Sequence, residues 1–277
     1  MLTNPRSERV RSVRALTRRS VRSRTGRFVV DGPQGVREAL RYAGPDVLDL
    51  YVTPAAVARH PEVVGAARAA GVRVHECDEV VLAALSETDA PQGLLAVLRH
   101  PTATFEDVLA AGPRLLVLLT SVRDPGNAGT VIRGADAAGA DAVLVSEESV
   151  DVLSPKVVRS TAGSLFHLPV VAGLGSEATL EALRAHGIRL LAADGAGRTL
   201  LPDADLTAPH AWVMGNEAWG LPADLRDRCD DVVRVPIHGL AESLNLAMAA
   251  TVCLYASAGV LGNTGPPVSE ATTRVPT

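Results

Sequence analysis

Apolar positions along the chain fall into short runs that alternate with amphipathic stretches of helical period. Phe28 to Val30 is a β-type run, the Asp31-Gly32-Pro33 turn ends it, and Val36, Ala39 and Leu40 return at helical spacing. The unit recurs as VLDLYVT, PEVVGAARAAG, VRVHECD, DEVVLAALSE and GLLAVLRH, which predicts a small α/β domain over residues 28–100. Residues 101–113, within HPTATFEDVLAAGP, read as a linker carrying one amphipathic turn. A second series occupies residues 114–262. Its strands are RLLVLLT, DAVLVS, LPVVA, GIRLLAAD, HAWVMG and DVVRVPI, and its helices are AGTVIRGADAAGA, SPKVVRSTAGSLF, SEATLEALRAHG and AESLNLAMAATVCLYASAGVL. Near-continuous apolar strands between helices predict a parallel sheet covered on both faces. Such sheets bind ligands beyond the carboxyl ends of their strands. Residues 263–277, NTGPPVSEATTRVPT, lack any period and are expected to be disordered.

Composition narrows the function classes. An apolar content of 47% over 277 residues is ample for buried cores. The longest apolar runs, LLVLLT and LNLAMAATVCLYASAGVL, are too short or too interrupted by Asn, Ser and Thr to predict a membrane span. The opening MLTNPRSERVRSVR has no apolar segment after its charges, so a secretory signal is not expected and a cytoplasmic location is. Cys77, Cys229 and Cys253 are widely spaced, with no CxxC pair and no His at ligand spacing; buried bystanders are expected, and no metal site.

The net charge of −4 hides an asymmetry. Residues 1–27 hold nine arginines against Glu8 alone, about +8, and the remainder carries about −12. Guanidinium forks match phosphate oxygens, and each neutralised phosphate releases condensed counterions. Arg9, Arg11, Arg14, Arg18, Arg19, Arg22 and Arg24 are therefore expected to contact nucleic acid, with a solvated basic tail as the alternative. Arginine over lysine carries no weight here, because Lys156 is the one lysine in the chain.

Three loops that leave predicted strands hold most of the unusual polar residues. RDPGNAGTVIRG places Asn127 before a helix and Arg133 six residues later among Val131, Ile132 and Ala135. A nucleotide-binding turn, a simple helix cap and one wall of an active site are all open readings. MGNEAWGLP brackets Asn216, Glu217 and Trp219 with glycines, a composition that lets backbone approach a ligand beside a carboxylate. VPIHGLAESLNLAMAA runs from a strand through a glycine turn into a helix expected to start with Glu242, Ser243 and Asn245. The dinucleotide fingerprint G-x-G-x-x-G is missing after the relevant strand, as are the P-loop, H-E-x-x-H and G-x-S-x-G motifs.

These three loops, in order, resemble the motifs of the SpoU (TrmH-like) RNA ribose 2′-O-methyltransferases of the SPOUT superfamily. The matching segments are NAGTVIR, MGNEAWGLP and VPIHGLAESLNLAMAA. The first domain also resembles the substrate-binding domain that often precedes these enzymes, through GRFVVDGPQGVREAL and TDAPQGLLAVL. The resemblance implies an α/β fold whose C-terminal SPOUT domain has a parallel sheet and a deep trefoil knot, against the usual rule that chains do not thread loops. It implies a homodimer and S-adenosylmethionine as cofactor, contacted at Gly215, Asn216, Val235, Ile237, Ser243 and Leu244. Asn127, Arg133, Glu217, Ser243 and Asn245 match the polar set around the methyl group and the ribose.

The implied reaction is in-line displacement by a ribose 2′-oxygen, in which positioning does most of the work. Because guanidinium stays protonated, Arg133 is expected to bind the adjacent phosphate and stabilise charge developing on that oxygen, not to act as base. Glu217 is expected to orient Arg133 or take the proton through water, and Asn127 to orient the neighbouring loop. Ribosomal RNA is favoured over transfer RNA as substrate. The competing readings are a transfer-RNA enzyme, an RNA-binding protein of the same fold without transfer activity, and, least favoured, a dinucleotide-dependent oxidoreductase.

Overall fold

The computed structural model describes residues 1–262, so the tail at 263–277 lies outside the described residues. The first domain is built on four strands: β1 (Arg27–Asp31), β2 (Val47–Val52), β3 (Arg73–Glu76) and β4 (Leu94–Arg99). They lie in the order β1-β4-β2-β3, with β4 antiparallel to both β1 and β2 and β2 parallel to β3. Alternation along each strand assigns two cores. Phe28, Val30, Leu50, Val52, Leu94, Ala96 and Leu98 face the helices of this domain and the second domain. Val29, Tyr51, Leu95 and Val97 face the opposite way.

That second face is covered by the arginine-rich segment. Helices Glu8–Arg14 and Arg19–Thr25 form there, and Val10, Val13 and Leu16 bury themselves against Tyr51, Leu82, Leu85 and Val97. The boundary at residue 27 therefore does not follow the fold: three apolar residues spaced by three, hidden among arginines, make this segment part of the first domain. Arg22 needs a second correction. It is 3% exposed, donates to the Leu16 and Thr17 carbonyls at 2.7 Å each, and pairs with Asp151 of the second domain. A guanidinium enclosed in this way holds two domains together and is not available to RNA. The other six arginines assigned to RNA are exposed.

The second domain carries seven parallel strands: β5 (Leu115–Leu119), β6 (Ala142–Ser146), β7 (Val170–Leu174), β8 (Arg189–Ala193), β9 (Thr199–Leu200), β10 (His210–Met214) and β11 (Asp231–Arg234). Their order is β7-β6-β5-β10-β8-β11-β9. All six expected strands are present; the two-residue β9 is too short to leave a period in the sequence. Leu115, Val117, Trp212 and Met214 face helices Pro125–Ala137, Pro155–Ser160 and Leu246–Leu261. Leu116, Leu118, Ala211 and Val213 face Leu180, Leu183 and Leu225 of helices Ser176–Ala185 and Ala223–Asp227. The expected linker contains helix Phe105–Ala110, closed by a Thr104–Asp107 capping box, and its Val108 joins this second core. No helix among the described residues is long and apolar enough to cross a membrane.

The domains meet over shared core. The rings of Phe28 and Phe166 stack at 6.5 Å, and His167 bridges Asp136 (2.8 Å) and Glu38 (3.1 Å). Removing one partner of a buried ion pair leaves an uncompensated charge, which costs about 3–5 kcal/mol. Because Asp151 retains some solvent access, Arg22→Ala is expected at the lower end, about 3 kcal/mol, read by equilibrium urea unfolding. A loss within about 0.5 kcal/mol, the range of ordinary surface substitutions, would remove Arg22 from the domain joint.

Candidate functional site

Sheet order locates the site. From β5 the chain moves outward to β6 and β7 and then crosses to the other side of β5, where β10, β8, β11 and β9 lie in that spatial order, so the direction of winding switches between β5 and β10. Crevices of this kind, beyond the carboxyl ends of the strands, are where open α/β sheets bind ligands. The two strand ends are tied together: the Thr120 N–H and Oγ1 both donate to the Met214 carbonyl at 2.9 Å.

Beyond Met214 the chain makes a tight hairpin in which Asn216 and Gly220 exchange backbone hydrogen bonds of 2.9 and 3.0 Å. Gly215 has to be glycine, since a Cβ there would stand 2.3 Å from the Gly220 carbonyl carbon. Asn216, only 6% exposed, donates to the Ser121 carbonyl at 2.6 Å and accepts from the Ala218 N–H at 2.8 Å. This places the Glu217 carboxylate over the loop after β5. There it accepts from the N–H groups of Arg123 (3.2 Å) and Asp124 (3.0 Å) and from the Asn127 amide (3.2 Å).

Asn127 does not cap its helix, one of the readings its sequence left open. Asp124 caps helix Pro125–Ala137, accepting from the Asn127 N–H at 2.7 Å, so the Asn127 side chain is released for longer-range contacts. Its amide donates to Glu217, and its Oδ1 accepts from the Asn245 Nδ2 at 3.0 Å. Asn245 in turn caps helix Leu246–Leu261 through the Ala247 N–H at 2.9 Å. That helix starts later than its sequence suggested, leaving Glu242 and Ser243 in the preceding loop. Three loops far apart in sequence are thus joined side chain to side chain.

Beside this junction lies a cleft of about 490 Å³. Gly215, Asn216, Val235, Ile237, Ser243 and Leu244, all six positions expected to hold a cofactor, line it, and Glu217 stands at its edge. Asp194 and Gly195 line it as well and were missed by sequence reading. The signal was present, because Asp194 ends the apolar run GIRLLAAD at a carboxyl strand end, where ligand contacts concentrate.

Arg133 stands apart. Helix Pro125–Ala137 contributes nothing to the cleft lining, and Arg133 lies on its exposed stripe with Thr130 and Ala137. Among the described residues it makes no hydrogen bond or ion pair, so Glu217 does not orient it within one chain: the carboxylate is already committed to Arg123, Asp124 and Asn127. Burial works against the charged form of Glu217. Its own N–H, those of Arg123 and Asp124, and the Asn127 amide nevertheless hold the carboxyl below its ordinary value. A depressed carboxyl makes a poor proton acceptor and a good anchor. Cys77 and Cys253 are buried and Cys229 half-buried, and burial pushes Cys77 up to about 11 and Cys229 and Cys253 up to about 12. No cluster of three or more His, Cys, Asp and Glu suited to a metal occurs among the described residues.

Comparison with known proteins fits this geometry. The model described as the SpoU rRNA Methylase family matches residues 114–255, and that of the MRM3-like substrate binding domain matches residues 7–96. The chain belongs to the SpoU family. Its substrate-domain match begins at residue 7, in agreement with the packing of the N-terminal helices. Among SpoU relatives, the 23S rRNA (guanosine(2553)-2'-O)-methyltransferase RlmP of Bacillus subtilis is 31% identical over 92% of this chain and 97% of its own length. The 23S rRNA (uridine(2479)-2'-O)-methyltransferase of Streptomyces viridochromogenes is 33% identical over 87% and 85%. The AdoMet-bound rRNA methyltransferase from Sinorhizobium meliloti superposes with a TM-score of 0.81 at 32% identity, over 92% of this chain and 96% of that one.

The Glu217 anchor makes a pH-dependent prediction. Stabilisation from a depressed carboxyl is complete above its unfolded value and is lost as pH falls through the folded one. The Arg123 and Asp124 amides should therefore be protected from hydrogen exchange at neutral pH. Their protection factors should fall below the ordinary glutamate range, and Glu217→Gln should lose protection already at neutral pH. Protection that ignores both pH and the substitution would contradict the anchor.

Proposed function

We propose that this SpoU protein, as a homodimer, transfers a methyl group from S-adenosylmethionine to a ribose 2′-hydroxyl of ribosomal RNA. The observation that carries the reading is the Glu217–Asn127–Asn245 chain, which joins the three motif loops beside a cleft containing every expected cofactor position. The relatives named for ribosomal RNA ribose methylation match nearly the whole chain, substrate domain included. That coverage favours ribosomal over transfer RNA. A cytoplasmic setting follows from such a substrate, and the trefoil threading of the family belongs to the same reading.

The cleft suits the cofactor by its chemistry. Met214, Val235, Ile237 and Leu244 offer apolar wall, glycines at 215, 195 and 220 allow backbone approach, and Asp194 presents a carboxylate to hydroxyl or ammonium donors. When bound, S-adenosylmethionine supplies an electrophilic methyl carbon on a sulfonium. Glu217, through Arg123, Asp124 and Asn127, fixes the loop that faces the cleft edge. Asn245 ties the same amide to the start of the last helix, so both walls hold one geometry. Ser243 offers a hydroxyl within the cleft.

Arg133 completes the site across the dimer. It does not line the cleft of its own chain, and its helix packs tightly on the last helix, where a Cβ at Gly134 would come within 2.7 Å of the Thr251 hydroxyl. The outer side of that last helix exposes Met248, Val252 and Tyr255 at helical spacing, an apolar stripe suited to a second copy. In the partner's site the guanidinium binds the phosphate beside the target ribose and stabilises negative charge forming on the 2′-oxygen.

Calorimetry should show S-adenosylmethionine binding and no NAD binding. Arg133→Lys keeps the charge and loses the fork, so transfer to ribosomal RNA transcripts should fall about 100-fold with cofactor affinity unchanged. Arg133→Ala and the cleft-blocking Leu244→Arg should each be inactive as homodimers. Their heterodimer should recover activity from one intact site. A silent heterodimer would place Arg133 in its own chain's site, and methylation confined to transfer RNA would replace the ribosomal substrate with the transfer-RNA reading.

A further inference from the structure

The chain has two tryptophans with opposite surroundings. Trp212 is fully buried and donates to the Ser257 hydroxyl at 2.9 Å, a structural role. Trp219 is 61% exposed, and among the described residues its indole has no hydrogen bond, ring or cation partner. Nothing in the fold requires an exposed indole there, yet the hairpin that carries it is closed by the Asn216–Gly220 bonds and anchored by the buried Leu221. The ring is therefore presented by a fixed support.

Its neighbours indicate what it meets. Trp219 follows Glu217 by two residues, but Ala218 and Gly220 line the cleft and Trp219 does not, so the indole is not part of the cofactor wall. The adjacent loop exposes Arg123, whose backbone N–H is held by Glu217 and whose guanidinium has no ion pair among the described residues. A fixed aromatic face on the hairpin whose Glu217 holds the loop bearing an exposed, unpaired guanidinium is a combination that can bind a nucleotide, with the ring stacking on the base and the cation meeting the phosphate. The apolar stripe suited to a second copy lies elsewhere, on Met248, Val252 and Tyr255.

We propose that Trp219 is a stacking platform for a nucleobase of the RNA at or next to the methylated nucleotide, with Arg123 on the accompanying phosphate. This rests on the RNA reading above. Stacking tolerates any base, so Trp219 contributes affinity and register without fixing the sequence.

Tryptophan fluorescence separates the possibilities, because Trp212 is sequestered. The full chain, loaded with S-adenosylmethionine, is titrated with a 23S ribosomal RNA domain transcript, with binding followed independently by filter retention. RNA binding should quench the emission of exposed tryptophan, and Trp219→Phe should bind with little quenching. Trp219→Ala should weaken RNA binding about 5- to 150-fold while S-adenosylmethionine affinity and sedimentation stay unchanged. RNA retention with no quenching, and with equal affinity in Trp219→Ala, would overturn the stacking role alone. Dimer dissociation in Trp219→Ala with RNA affinity retained would overturn it in favour of a contact between copies. No RNA retention by the folded, cofactor-binding chain would overturn the RNA reading itself, and this proposal with it.

Discussion

The structure turns on one constraint: a carboxylate, an amide and a second amide, from Glu217, Asn127 and Asn245, must meet in a line although they lie about 90 and 118 residues apart. The two end groups each satisfy backbone as well as the Asn127 amide between them. Glu217 holds two N–H groups of the loop after β5, and Asn245 caps the last helix. Local turn chemistry and long-range closure therefore reinforce each other. Because the three loops leave the carboxyl ends of β5, β10 and β11 in one parallel sheet, closing the line also shapes the cleft beside it.

Much of this was legible in the sequence, and the exceptions have physical causes. Apolar runs reported the strands faithfully because both faces of the second sheet are buried. Glycines and polar residues at 127, 215–217 and 243–245 marked the loops, and the family resemblance pointed to the positions that line the cleft. Sequence alone could not show that Asp124, three residues earlier, takes over the cap and frees Asn127, since Asp and Asn cap about equally well. Nor could it separate Arg22 from the surrounding arginines: only the fold reveals that this one faces Asp151 and two carbonyls while the others face solvent. Asp194 was read as the end of a strand because a lone acid carries no motif.

The placement of charge gives the molecule its division of labour. The carboxylate at the site is committed to positioning, so in the proposed reaction the developing negative charge is left to a cation. The nearest candidate from the motifs, Arg133, has no partner among the described residues and sits beside an apolar helix face. The proposed arrangement, anchoring within one chain and charge stabilisation from the next, makes assembly and catalysis depend on each other. The exposed arginines of the N-terminal helices extend the same positive character across the outer face of the first domain.

The central claim is that the three loops act as one unit around the cofactor, and a double-mutant cycle tests it most directly. Glu217 and Asn245 communicate through Asn127, so the affinity of S-adenosylmethionine should be measured by calorimetry for Glu217→Ala, Asn245→Ala and the pair. Coupled loops predict that the double variant binds little more weakly than the worse single variant. Losses that simply add, within about 0.5 kcal/mol, would mean the loops hold their shapes independently and would contradict the account.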